Sequence, residues 1–194
     1  MIYDDAMRVE TSGGERVTVD VLDSGVMVDH LDRAANIVDC KDTTLRRIKK
    51  GCSDNAGHGT HVAGTILANG GPDGSGIYGV APNAKLMAIK VCGGIYCWGD
   101  DIAEGIRYAA DNGANIVSMS LGGDRPDPQV LSAVDYAVEK GVLVIAAAGN
   151  DGRMFTPKSG HRVKLRSPIF RTDQVRFLPE QNEFFYGYRT SLCT

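Results

Sequence analysis

Gly57-His58-Gly59-Thr60-His61-Val62-Ala63-Gly64-Thr65-Ile66 reads as a glycine-rich turn that delivers a histidine to the start of a helix. Val62, Ile66 and Leu67 recur at helical spacing. Gly59, Ala63 and Gly64 carry little or no side chain, so a neighbouring element can come close. Each glycine inside a helix costs roughly 1 kcal/mol relative to alanine, so packing from outside must hold this one. Such a helix suits burial beneath a site better than a place on the surface.

Working outward, the segments around it alternate between strand and helix. Val17-Thr18-Val19-Asp20-Val21-Leu22 is β-branched, lies between glycine-containing turns and reads as a strand covered on both faces. Asp20 breaks its apolar run, and a carboxylate there is costly unless paired. Residues 29–57 are polar and irregular, with one short strand expected around Asn36–Asp39 and the basic run Arg46–Lys50 on a solvated face. After the histidine helix comes a glycine-rich loop, Asn69 to Gly79, and then a strand from Ala84 to Cys92. The next helix is expected to be capped by Asp100, lined inward by Ile102, Ile106 and Ala109, and stopped at Gly113. A strand from Asn115 to Met119 closes into Ser120-Leu121-Gly122-Gly123. Asp127 before Pro128 marks a further helix start. Its inward residues are expected to be Val130, Leu131, Val134 and Val138, with Gly141 as its stop. A fourth strand, Val142 to Ala147, runs to Gly149-Asn150. This alternation implies an α/β fold, a three-layer αβα sandwich around a mainly parallel sheet with right-handed crossovers.

The pattern stops near Gly152. The net charge of −3 divides into −8 over residues 1–152 and +5 over residues 153–194, and all five phenylalanines lie in the second part. Two regions are therefore expected: a folded domain over 1–152, and a basic tail over 153–194 without helical or strand periodicity. The longest apolar run, Val142 to Ala148, is too short to cross a bilayer, and residues 1–5 do not read as a secretion signal. Nothing in the charge pattern calls for nucleic acid. Five cysteines fall as two near pairs, Cys40 with Cys52 and Cys92 with Cys97, plus Cys193. Two local disulfides and five thiols both fit this count, because spacing does not give connectivity.

Asp23, His58 and Asn150 stand where strands or turns end, the edge at which open parallel sheets gather functional groups. An imidazole can move a proton, a carboxylate behind it fixes its tautomer, and an amide can donate to a developing oxyanion. His58 and His61 also stand at i, i+3, but no third ligand lies at a recognised spacing, so no metal site is expected.

Asp23-Ser24-Gly25 after an apolar strand, Gly57–Gly64, Val80-Ala81-Pro82, Ser118–Gly123 and Ala146–Asn150 together resemble the ordered motifs of the subtilisin-like serine peptidases, over roughly residues 1–152. The resemblance implies hydrolysis of peptide bonds, with His58 as general base, Asp23 orienting it and Asn150 in the oxyanion hole. Ser120, Leu121 and Gly122 would offer backbone groups to an extended polypeptide substrate, with the loop around Gly94 along its other edge. The resemblance further implies a monomer, export from the cell, and no cofactor for the chemistry. A structural calcium ion in the loop from Asn69 to Ile77, with Asp73 as a ligand, is also in keeping with it.

Two departures stand out. The family carries its serine in a Gly-Thr-Ser-Met-Ala type of motif at a helix start, and no such motif occurs here. The nearest string is Thr190-Ser191-Leu192, and Ser159 and Ser167 are weaker matches. The fold is thus expected to be incomplete on its C-terminal side, with a tail foreign to the family, as a truncation or a shifted reading frame leaves. Asp20 is the second departure, since small apolar residues are usual there. The alternative to an enzyme is a module that binds extended peptides without cleaving them, or a non-functional fragment.

Overall fold

The structure, a computed structural model, describes residues 13–32, 36–94, 96–122 and 127–147. The elements in order are β1 (Thr18–Asp23), β2 (Ile37–Asp42), β3 (Lys49–Lys50), α1 (His58–Leu67), β4 (Lys85–Lys90), β5 (Cys92–Gly93), β6 (Tyr96–Cys97), α2 (Gly99–Asp111), β7 (Ile116–Met119), α3 (Pro128–Glu139) and β8 (Leu143–Ala146). Six strands form one sheet in the order β3-β2-β4-β1-β7-β8. β2, β4, β1, β7 and β8 are parallel, and β3 pairs antiparallel with β2.

β1 is central, and helices cover both its faces. Val21, Leu86 and Ala88 pack under Ala63 and Leu67 of α1. Leu22, Met87, Ile89, Val117 and Met119 pack on the opposite face against Ile102, Ile106 and Ala109 of α2 and Val130, Ala133, Val134 and Ala137 of α3. That is the three-layer α/β arrangement expected from the βα alternation. Gly105 of α2 lets that helix sit down on the sheet: a Cβ there would lie 2.8 Å from both Leu22 and Val91 side chains.

Three local expectations are corrected. Asp100 does not cap α2. Trp98 occupies that position in extended conformation, and the helix begins at Gly99 with Asp100 and Asp101 in its first turn. Buried Asp101 accepts from the backbone N–H of Leu45 and Arg46, which both have positive φ, so the acidic pair supports a strained turn as well as the helix start. On α3, Leu131 is only partly buried and Val138 is exposed; Ala133 and Ala137 take the inward positions beside Val130 and Val134. The strand expected around Asn36–Asp39 is present as β2 but runs on to Asp42, and the two-residue strands β3, β5 and β6 are too short for sequence periodicity to reveal.

Asp127 caps α3 as expected, accepting from the amides of Gln129 and Val130, with Pro128 inside the first turn. Gly113 and Gly141 stop their helices at φ +88 and +83. Cys40–Cys52 and Cys92–Cys97 are both disulfide-bonded. The proposed tail, residues 153–194, lies outside the described residues, as does Cys193.

Candidate active site

Parallel pairing brings the C-terminal ends of β1, β4 and β7 to one edge of the sheet. Asp23 is the last residue of β1, and its side chain is 2% exposed. It falls on the same side of the strand as Val21, the side that α1 covers. The α1 helix starts at that edge with His58 as its first residue, after Gly57 in left-handed conformation at φ +81.

His58 and Asp23 meet there. The imidazole Nδ1 lies 2.8 Å from Asp23 Oδ1 and 3.0 Å from Oδ2. A carboxylate so placed accepts a hydrogen bond from Nδ1–H, which keeps the proton on Nδ1 and leaves Nε2 as the basic nitrogen. The His58 side chain is 37% exposed, so it is held at one end and open at the other. Asp23 Oδ1 also accepts from the Ser24 amide at 2.6 Å, which fixes the carboxylate against its own turn.

The small residues of the opening stretch make this contact possible. A Cβ on Gly59 would lie 2.1 Å from the Gly25 carbonyl oxygen and 3.0 Å from Asp23 Cβ. Only glycine lets the first turn of α1 close on the Asp23 turn. Gly25, at φ +109, has the same relation to the other loop: a Cβ there would lie 2.3 Å from the Cys52 carbonyl oxygen.

The loop that precedes His58 is tied down several times. Cys52 is bonded to Cys40 of β2. Buried Lys90, at the end of β4, donates to the Ser53 carbonyl at 2.7 Å. Asp54 accepts from Ser24 Oγ, the amides of Ala56, Gly57 and Thr60, and Thr60 Oγ1. Partial burial pushes the Asp54 carboxyl up, but the bonds from Thr60, Ala56 and Gly57 outweigh that and hold it down at about 2. Sequence reasoning missed Asp54 and Ser24. An aspartate followed two and three residues on by Ala-Gly is a local turn signal, but the bonds to Ser24 and Thr60 have no counterpart in local sequence.

Ser120, Leu121 and Gly122 follow β7. The register pairs Val21 with Ser118, so two residues further on Asp23 and Ser120 reach the same level of the sheet edge. Ser120 and Gly122 are exposed, while Leu121 is buried in the core and anchors the segment. The hairpin around Gly94 leaves β4 at the same edge, crosslinked by Cys92–Cys97, with Tyr96 and Trp98 exposed on it. Asn150, Ser159, Ser167 and Ser191 lie outside the described residues.

The loop from Asn69 to Ile77 is the segment in which the resemblance implies a calcium ion. Its oxygens serve the loop itself: Asp73 Oδ1 accepts from the amide and hydroxyl of Ser75, and Asn69 Oδ1 accepts from the Gly71 amide. Among the described residues no group of three or more His, Cys, Asp or Glu side chains is placed to hold a metal. No chemistry is routed through a cation at this loop.

Comparison with known proteins bears on the same residues. The model of the subtilase family (Peptidase S8) matches residues 14–170, running past Gly152. The chain is 45% identical over 159 residues to a subtilisin of Bacillus sp. (strain TA39), covering 78% of this chain and 38% of that one. It is 45% identical over 146 residues to the major intracellular serine protease of Bacillus subtilis (strain 168), covering 72% and 44%. Among solved structures, the S41 psychrophilic protease superposes with a TM-score of 0.69 at 48% identity, covering 73% of this chain and 48% of that one. Sphericase superposes with a TM-score of 0.68 at the same identity and coverage. The chain thus spans less than half the length of these relatives. With the sheet order, the His58–Asp23 pair and the family match all falling on the same residues, this chain belongs to the subtilase family.

Proposed function

We propose that this chain carries the acid–base half of a peptide-hydrolysing site and lacks the nucleophile that completes it. The observation that carries this is the 2.8 Å contact between His58 Nδ1 and Asp23 Oδ1 at the C-terminal edge of the parallel sheet. His58 Nε2 takes the proton of an attacking hydroxyl and returns it to the leaving amine. Asp23 keeps the proton on Nδ1 and stabilises the imidazolium that forms. Asn150 donates to the oxyanion, and the backbone of Ser120–Gly122 pairs with an extended polypeptide; both roles rest on the resemblance. Residues 1–194 contain no serine in the family's Gly-Thr-Ser setting. In subtilisin, the worked case of this chemistry, removing the nucleophile alone lowers kcat about a millionfold. The chain by itself is therefore inactive.

The test is a fluorophosphonate probe with a peptide hydrolysis assay on the purified chain. The expected outcome is no labelled serine and no turnover above buffer. Labelling at one serine, Ser191 included, overturns the inactivity.

A second reading, a peptide-binding module, is favoured by the anchored but exposed Ser120–Gly122 segment. Binding of an unlabelled extended peptide without fluorophosphonate labelling would support it. Export from the cell is proposed on the two disulfides, which persist in oxidising compartments. The names of the relatives include an intracellular protease, so recovery of the oxidised chain from the medium is the observation that decides. No helix among the described residues is long and apolar enough to cross a membrane.

A further inference from the structure

We infer that Asp54 is a positioning residue for the His58–Asp23 pair, acting by clamping the turn that follows Asp23 to the first turn of the helix that bears His58. This rests on the reading of His58 and Asp23 as an acid–base pair.

Asp54 uses both carboxylate oxygens on three separate segments. Oδ1 accepts from Ala56 and Gly57 amides at 3.0 and 2.9 Å, within its own loop. The same oxygen accepts from Ser24 Oγ at 2.9 Å, thirty residues away and next to Asp23 in the chain. Oδ2 accepts from the Thr60 amide at 2.9 Å and from Thr60 Oγ1, inside α1. The partners are themselves tied across the gap. Ser24 Oγ accepts from the Gly59 amide at 3.0 Å, and Thr60 Oγ1 accepts from the Met27 amide at 2.9 Å. Asp54, Ser24 and Thr60 therefore form a closed set of bonds that spans the two segments between which the His58–Asp23 contact is made.

A plain turn residue would need only one oxygen and the amides of the next two or three residues. Here the bonds to Ser24 and Thr60 do something else: they fix the distance between two loops. His58 is flanked on both sides by clamped positions, Gly57 before it and Gly59 and Thr60 after it. The carboxylate also places negative charge at the N-terminus of α1, which favours the ionised form and strengthens the clamp.

The experiment is NMR of the full chain labelled with nitrogen-15, following the His58 Nδ1 proton and the two imidazole nitrogens. In the unaltered chain the Nδ1 proton is expected as a resolved downfield signal protected from solvent. Asp54→Asn keeps the shape but turns one acceptor into a donor that faces donors. The expected result is exchange of the Nδ1 proton at least about tenfold faster, the scale of one lost charge-assisted hydrogen bond, with the ring nitrogens shifting toward a mixture of tautomers. Ser24→Ala, which removes only the bridging hydroxyl, should move the same signals in the same direction by less. It also serves if Asp54→Asn does not fold. Asp127→Ala, which uncaps α3, is the comparison: it lowers stability and should leave the His58 signals unchanged. A His58 signature unchanged in both Asp54→Asn and Ser24→Ala overturns the positioning role while leaving the acid–base pair intact. Signals that move equally in Asp127→Ala reduce the effect to general loss of stability and overturn it too. An unaltered chain with no protected Nδ1 proton overturns the pair itself, and the positioning role with it.

Discussion

Asp20 stands in the middle of β1 with no exposure, and neither of its carboxylate oxygens has a hydrogen-bond partner among the described residues. Burial drives its carboxyl well above the ordinary range, and the charge of Asp39 pushes it further in the same direction. An acid whose pKa is raised by folding loses protons more readily when unfolded. It therefore opposes folding more and more as pH rises above the unfolded value near 3.8. Asp20→Ala should raise stability by about 1–3 kcal/mol at pH 7, the cost of an unmet buried polar group, and by less at pH 4. Thermal melts at the two pH values measure the difference; an equal shift at both would contradict it. Asp54 has the opposite sign. Its pKa is lowered to about 2, so its contribution is complete above the unfolded value and fades as pH falls from about 4 toward 2. Asp54→Asn should therefore flatten the acid limb of the stability profile. Asp23 and His58 were legible through the ordered motifs that resemble the family, and Asp20 through its break in an apolar strand. Asp54 was not, because its partners at Ser24 and Thr60 become neighbours only when β1 and α1 pack.

At the scale of elements, α1 depends on the absence of side chains at its start. The Gly59 Cβ position lies 2.1 Å from a backbone oxygen of the Asp23 turn, and backbone cannot move aside as a flexible side chain does. Gly59→Ala should cost at least about 1–3 kcal/mol by overpacking, although alanine is the better helix former. It should also part His58 from Asp23, so the Nδ1 proton signal should be lost along with stability. A folded variant that keeps the signal would contradict the close approach. On α3, Asp127→Ala should cost about 1 kcal/mol by uncapping, measured by denaturant unfolding. The two helix starts show how far local rules reach. Asp127-Pro128 carries its capping signal in adjacent residues and was read correctly. Asp100 carried the same kind of signal, yet the helix begins two residues earlier than that cap would give, at Gly99 after Trp98, and Asp101 in its first turn instead holds Thr43 and the Leu45–Arg46 turn. The inward face of α3 was misread as well. Leu131 and Val138 are apolar at helical spacing, but Ala133 and Ala137 are the residues buried in the core beside Val130 and Val134.

For the whole molecule, the alternation of elements over residues 13–147 was enough to read the parallel sheet. The disulfides stayed open until the folded backbone brought each pair together, Cys40 beside the loop before His58 and Cys92 opposite Cys97 across a hairpin. Breaking Cys40–Cys52, which closes a loop of separation 12, should cost about 3 kcal/mol, so a reductant should lower the melting temperature of the oxidised chain. β8 is the last strand of the sheet, paired only with β7 among the described residues. Val144 and Ala146 pack on the core, while Leu143 and Ile145 point to the other face and are each 48% exposed. The α1 helix covers β1 and β4 on that face. An apolar strand with one free edge is a template for pairing with another chain. A monomer, as the resemblance implies, needs that edge covered. The chain in isolation should therefore associate as its concentration rises. Replacing Leu143 and Ile145 together by lysine should suppress association while leaving the circular dichroism spectrum unchanged, since neither side chain contributes to the core. Sedimentation velocity over a range of concentrations separates the outcomes. A chain that stays monomeric throughout, or association that survives both lysines, would show that β8 is not the adhesive edge.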